Sequence, residues 1–287
     1  MTEFDYQEAF QRNLGFLNNE EQTILRRTKV AIAGLGGTGG AQAHAIARTG
    51  IGAFHLADPD IFELANFNRQ IGATMDTLNQ PKAEVIKNIV LSINPEADIK
   101  LFNEGISPQH IDDFLDDVDI IVDSLDFYCF QERFLLYEAA RKRKLWVLTA
   151  PPLGFGFTFL AFDPLGMSFE EYFQFNPQMS DKDLAIALIL GISPKPYMFS
   201  YLNKEVMQIG QHRLPSVGAA PFMIAGVISA AIVKIILKKQ KQISAPHIIQ
   251  YDALLNKYCC YNPRTGITGL WQRLQRNIMK KKLLKVM

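Results

Sequence analysis

Five glycines fall in the seven positions from Gly34 to Gly40 of "AIAGLGGTGGAQAHA", between a β-branched run and an alanine-rich stretch. A strand that turns through bare glycines into a helix lays backbone N–H groups against phosphate. Asp58 ends the next apolar run, where a carboxylate grips ribose hydroxyls. Those two features fit a dinucleotide as well as a nucleoside triphosphate. The residues after Asp58 narrow the choice. "DPDIFELANFNRQIG" puts Asn66, Asn68, Arg69 and Gln70 within five positions, and Lys82 arrives in "NQPKAEV". Two cations and several amides converging on a glycine loop make an anion clamp suited to three phosphates. Downstream, "DIIVDSLD" offers Asp123 and Asp126, and Mg²⁺ prefers one or two carboxylates plus phosphate oxygens.

These residues need a frame that brings distant loops together. Short apolar β-rich runs alternate with helical patterns, the signature of a parallel sheet. Strands are expected at 30–33, 53–57, 99–102, 120–123 and 146–148, with helices at 39–48, 81–92, 130–143 and a short one after Pro108. Val85, Ile86, Ile89, Val90 and Ile93 recur at helical spacing, one face against a sheet. After Thr149, "APPLGFGFTFLAF" reads as a pair of short strands. The stretch 163–215 reads as loop, with five prolines; an apolar helix over 217–237 and a strand over 247–251 come next. The expected fold class is α/β: a Rossmann-like, mostly parallel sheet flanked by helices, with additional antiparallel strands and an insertion after the central strands. One domain over 1–258, carrying the 163–215 insertion, precedes a basic helix or tail over 259–287.

Composition bounds the function. The 287 residues are 48% hydrophobic with a formal charge of +1, which gives no global attraction to nucleic acid. Three cysteines, Cys129, Cys259 and Cys260, supply neither a disulfide framework nor paired zinc-site spacing, so reduced thiols and no zinc are expected. The first thirty residues are polar and acidic, without the apolar centre of a signal peptide, and a cytoplasmic location is the expectation. Residues 217–233 are uncharged and sit at the lower edge of spanning length; a buried core helix is the preferred reading. From Ala253 to Met287 eight basic residues meet no acid, with Trp271, Leu274 and Ile278 at helical spacing. Such a segment suits contact with a membrane or RNA, but packing on the domain is preferred.

In these residues the sequence resembles the ThiF/MoeB/HesA adenylyltransferases, whose fold is shared by ubiquitin-activating enzymes. The matching pieces run in family order: "GLGGTGG", "DPDIFELANFNRQ", "QPKAE", "DSLD", the apolar helix and "YDALLNKY" at 251–258. The resemblance implies that Gly34, Gly36, Gly37 and Gly39 cradle ATP and that Asp58 holds its ribose. It implies that Asn66, Arg69, Gln70 and Lys82 position the phosphates and that Asp126 holds Mg²⁺. "AFQRNLG" resembles the segment that lends an arginine across a dimer interface, which makes Arg12 a finger in trans of a homodimer. The implied reaction is ATP-dependent activation of a carboxylate as an acyl-adenylate. The implied partner is the C-terminal glycine of a ubiquitin-like or sulfur-carrier protein, with a peptide, a small carboxylate or an RNA-borne one left open.

Departures from the family pattern sharpen the reading. The zinc-holding cysteine pairs of many relatives are missing. Where relatives carry an arginine five residues beyond the metal-binding aspartate, this chain has Gln131, and Arg133 stands two further on. Asp123 reads as structural, and Cys129 as an idle thiol, since a transthiolating nucleophile needs nearby cations to lower its pKa. Two other functions remain open on residues alone: an NAD(P)-dependent oxidoreductase on the same glycine loop, and a non-catalytic nucleotide-binding scaffold.

Overall fold

A computed structural model describes residues 3–176, 178–203 and 215–263. Two helices, α1 (Tyr6–Phe10) and α2 (Asn19–Arg27), lead into β1 (Lys29–Ala33). The glycine loop opens α3 (Gly39–Arg48), which returns to β2 (Ala53–Ala57); α4 (Lys82–Ile93) then connects to β3 (Asp98–Phe102). After α5 (Ile111–Phe114) come β4 (Ile120–Asp123), α6 (Phe130–Lys142) and β5 (Trp146–Thr149). These five strands are parallel in the order β3-β2-β1-β4-β5. Chain order therefore reverses between β1 and β4, the place where open parallel sheets bind ligands at the carboxyl ends of their strands. The register aligns Ala33 with both Ala57 and Asp123, so the loops after β1, β2 and β4 leave the sheet side by side.

Antiparallel strands extend the sheet. β6 (Pro152–Leu153) pairs with β7 (Gly156–Phe162), and β7 lies between β5 and β8 (Ile248–Asp252). The edge strand β9 (Lys257–Tyr261) pairs with β8, so the sheet runs on past Tyr258 and holds Cys259 and Cys260. Alternating side chains feed two cores. Ala31, Ala33, Ile121, Leu160 and Phe162 face one, while Val30, Ile32, Ile120, Val122 and Phe159 face the other.

The stretch 163–215 differs from the loop expected of it. It contains α7 (Phe169–Phe173) and α8 (Asp181–Ile192), started by the side chains of Ser168 and Ser180, each accepting a backbone N–H three residues on. α8 buries Leu184, Ile186, Ala187, Leu188 and Leu190, so apolar residues surround it and no helical stripe appears in the sequence. Pro194 and Pro196 lie beyond the helix and cannot break it. The apolar helix α9 (Ala219–Ile236) is long and apolar enough to cross a membrane, yet Ile224, Ile228 and Ile232 are fully buried in the second core. The basic segment 264–287 lies outside the described residues.

Candidate functional site

The glycine loop is tight at its ends and uncrowded in its middle. Gly34 donates its N–H to the Ala57 carbonyl at 2.8 Å and has φ +86°, and a Cβ there would lie 2.4 Å from the Ser124 carbonyl oxygen. A Cβ on Gly39 would lie 1.8 Å from the Gly34 carbonyl oxygen. Gly36 and Gly37 are unlike these. The nearest atoms to an added Cβ are Gln70 Nε2 and Arg69 Cγ, each at 3.6 Å. The loop's centre thus lies uncrowded beside two residues of the clamp, at no more than van der Waals contact, a cradle in which backbone N–H groups can meet an anion.

Asp58 ties this loop to β2. Its Oδ2 accepts the Leu35 N–H at 2.6 Å and its Oδ1 the Asp60 N–H at 2.9 Å. Burial pushes its carboxyl above the ordinary carboxylate range, opposed by the nearby Lys82 ammonium and by those two hydrogen bonds. The structure therefore gives Asp58 the positioning job of a turn acid, holding the glycine loop to the end of β2.

The clamp residues come from a short helical turn and from the start of α4. Asn66 is buried, and its Oδ1 accepts the Glu63 N–H at 3.0 Å. Gln70 is buried with its Oε1 lacking a partner. Arg69 Nη1 donates to the Ala65 carbonyl at 2.9 Å and to Asn68 Oδ1 at 3.0 Å. Lys82 Nζ sits 2.8 Å from Asp60 Oδ2, with the lysine side chain buried and the aspartate more than half exposed. Only one end of this pair is desolvated, so Lys82 can exchange Asp60 for a phosphate oxygen at small cost.

The two aspartates after β4 have separate fates. Asp123 is buried, and its Oδ2 accepts from Arg133 Nε at 2.9 Å and from the Tyr137 hydroxyl at 3.1 Å. Arg133 Nη2 also donates to the Leu125 carbonyl at 2.7 Å and to the Asp126 carbonyl at 3.1 Å. Asp126 itself is exposed. Arg133 thus braces the turn that presents Asp126.

These parts meet at one cavity of about 1510 Å³, lined among others by Gly37, Asn66, Arg69, Gln70, Lys82 and Asp126. Gly34, Gly36, Gly39 and Asp58 are not among its lining residues. Arg12, in an exposed turn at Gln11–Asn13, does not line it either. Cys129 does, and burial together with Asp126 and Glu132 pushes its thiol up to about 11. The residues fit a magnesium nucleotide: a glycine loop without side chains at its centre, the cations Arg69 and Lys82, an amide with an unpartnered oxygen, and exposed carboxylates, Asp126 among them. No three His, Cys, Asp or Glu gather as metal ligands among the described residues, so an ion here would rest on Asp126 and phosphate oxygens.

Sequence reasoning missed a second set of buried polar residues. Thr158 on β7 and Gln250 on β8 are cross-strand partners, and Asp252 lies two residues along. Thr158 Oγ1 donates to the Ile192 carbonyl at 2.6 Å. Gln250 Oε1 accepts the Lys195 N–H at 3.0 Å, and its Nε2 donates to the Lys195 carbonyl at 2.9 Å. Asp252 Oδ2 accepts from the Tyr201 hydroxyl at 2.7 Å. The only sequence signal was polar residues at period two inside an apolar strand.

Comparison with known proteins places this geometry. The family described as ThiF family matches residues 10–265. The tRNA threonylcarbamoyladenosine dehydratase of Haemophilus influenzae is 32% identical over 186 residues, 64% of this chain and 67% of that protein. The sulfur carrier protein ThiS adenylyltransferase of Escherichia coli is 28% identical over 143 residues, 50% of this chain and 56% of that protein. The matches span about half the length of the tRNA dehydratases of Bacillus subtilis and Escherichia coli. The crystal structure of Escherichia coli MccB with ATP shares the fold with a TM-score of 0.66 at 21% identity, covering 94% of this chain and 73% of that one.

Proposed function

The chain belongs to the ThiF family, and we propose that it is an ATP-dependent adenylyltransferase that activates a carboxylate as an acyl-adenylate. The observation that carries this reading is the meeting of Arg69, Gln70, Lys82 and Asp126 around one cavity that Gly37 of the glycine loop also lines. A dinucleotide needs no such set of cations. The triphosphate lies with its phosphates on the Gly36–Gly37 backbone, and Arg69 and Lys82 neutralise them. Mg²⁺, held by Asp126 and phosphate oxygens, would supply further charge neutralisation.

In the reaction a carboxylate oxygen of the acid attacks the α-phosphorus. The bond from that phosphorus to the bridging oxygen breaks, and its electron pair leaves with pyrophosphate. No proton need move, so stabilising the departing charge is the protein's main task. Cys129 takes no part, because a thiol raised to about 11 is almost wholly protonated at neutral pH.

The acid is read as the C-terminus of a carrier protein or a peptide, in keeping with the similarity to the ThiS adenylyltransferase. The similarity to the tRNA dehydratase supports an RNA-borne carboxylate as a second reading. The enzyme is read as a homodimer in which Arg12 reaches the partner's site. The exposed face of α9 supports this: Ala219, Phe222, Gly226 and Ala230 form an uncharged stripe, with Phe222 59% exposed.

ATP–pyrophosphate exchange with candidate acids tests the proposal. Exchange by the wild type, lost in Arg69→Ala, is expected. Tight NADH binding with no response to ATP would overturn it.

A further inference from the structure

The cavity is larger than a nucleotide needs, since pockets for single small ligands span about 300–1,000 Å³ and this one holds about 1510 Å³. Its described lining changes in chemistry along the chain. Every charged side chain among the described lining residues comes from positions 60–133. Beyond position 149 the described lining carries no charge and includes Leu153, Phe155, Met198, Phe199, Tyr201 and Leu202. Phe155 is 37% exposed, and its ring lies edge-on to that of Tyr201 with centroids 6.0 Å apart.

This apolar wall is held in place from behind. Thr158, Gln250 and Asp252 are 0%, 2% and 1% exposed, and they bond Ile192, Lys195 and Tyr201 respectively. The Tyr201 hydroxyl also accepts the Phe155 N–H at 3.1 Å. Gly154, at φ +61°, lets the backbone approach so closely that a Cβ would lie 2.2 Å from that hydroxyl. Buried polar groups satisfied in this way fix one arrangement, because breaking any bond leaves a partner unpaired. The wall is therefore a formed surface in the same cavity that the clamp residues line.

We propose that the activated acid carries a bulky apolar side chain, aromatic or branched aliphatic, on its carboxyl-terminal residue or the one before it. That side chain seats against the Phe155–Tyr201 wall. The carboxylate then lies toward Arg69 and Lys82, where the proposed triphosphate would be held. This deepens, and rests on, the reading of the site as one that activates a carboxylate. A tail of two glycines has nothing to place on this wall.

The probes are N-acetylated tetrapeptides ending in Gly-Gly, Gly-Phe, Phe-Gly and Gly-Asp. Calorimetry measures their binding to the full chain with magnesium and a non-hydrolysable ATP analogue, and pyrophosphate exchange is followed alongside. A phenylalanine-bearing probe is expected to bind at least about tenfold tighter than Gly-Gly, the scale of burying one apolar side chain. Phe155→Ser removes that preference while analogue binding, measured separately, shows the nucleotide end intact. Equal or tighter binding of Gly-Gly or Gly-Asp overturns the inference and leaves carboxylate activation standing. Failure to bind the ATP analogue at all overturns the underlying reading instead.

Discussion

Arg133 Nε lies 2.9 Å from Asp123 Oδ2, in a pair whose side chains are 8% and 2% exposed. Because Nη2 of the same guanidinium holds the carbonyls of Leu125 and Asp126, this pair sets the shape of the turn after β4. Removing one partner strands the other, at a cost of about 3–5 kcal/mol. For a chain of this size that is a fall in melting temperature on the order of 10 °C. Arg133→Met is expected to show it in a thermal scan, and Arg133→Lys to recover only part, since an ammonium cannot reproduce the planar fork. A melting temperature unchanged in Arg133→Met would remove the brace from the account.

The clamp cations behave differently. The Lys82–Asp60 pair has one partly exposed member, so its loss changes stability by no more than about 1 kcal/mol. In exchange assays, however, Lys82→Met and Arg69→Ala are each expected to lose about 10²–10³ in rate, as with removal of a preorganised donor. Activity falling while the melting temperature holds is the expected pattern. Full exchange by either variant would mean that the phosphates lie elsewhere.

Within the loop, two glycines separate folding from binding. Gly34→Ala forces a side chain into φ +86° and against the Ser124 carbonyl, and the strain alone amounts to about 1–3 kcal/mol. Gly36→Ala meets nothing closer than Gln70 Nε2 at 3.6 Å, so the fold tolerates it. Its methyl group occupies the cradle, and the rise in melting temperature on adding ATP should shrink. Scans with and without ATP check both.

Cys129 supplies a pH test. Its pKa is raised, so the thiolate forms only as pH climbs toward about 11. Iodoacetamide labelling of Cys129, read by mass spectrometry, should be slow at pH 7 and quicken about tenfold per pH unit up to that point. Cys129→Ser is expected to keep exchange activity. Rapid labelling at neutral pH would reopen a thioester step.

The parts of this site that were legible in the sequence are those that chemistry keeps local. A phosphate cradle needs glycines in one turn, and the clamp gathers from Asn66 to Lys82, so both show as short strings. The central parallel strands β1, β2 and β4 were legible because, buried on both faces, they read as apolar runs, while the edge strand β3 alternates exposed and less exposed positions. Two kinds of feature were not. α8 is apolar on all sides, so no period marked it as a helix. The bonds from Thr158 and Gln250 join residues 34 and 55 positions apart, and nothing local foretells such a partner. Asp58 shows a third limit: its residue type suggested a ribose, and only the fold reveals that both oxygens already hold backbone.

The last prediction concerns Arg12. It stands in an exposed turn and does not line the cavity of its own chain, as the proposed role on a partner copy requires. The uncharged stripe of α9 offers the surface on which two copies would meet, and Phe222→Glu should shift the protein to monomer in sedimentation and abolish exchange. Mixed dimers give the stricter test. In an assembly of Arg12→Ala with Arg69→Ala, one site has an intact Arg69 and receives Arg12 from its partner, while the other site lacks both. Random pairing makes half the dimers mixed, each with one working site of two, so co-expression of the two dead variants should restore about a quarter of wild-type exchange. If Arg12 acted within its own chain, each protomer would carry its own defect, and no mixture would recover activity.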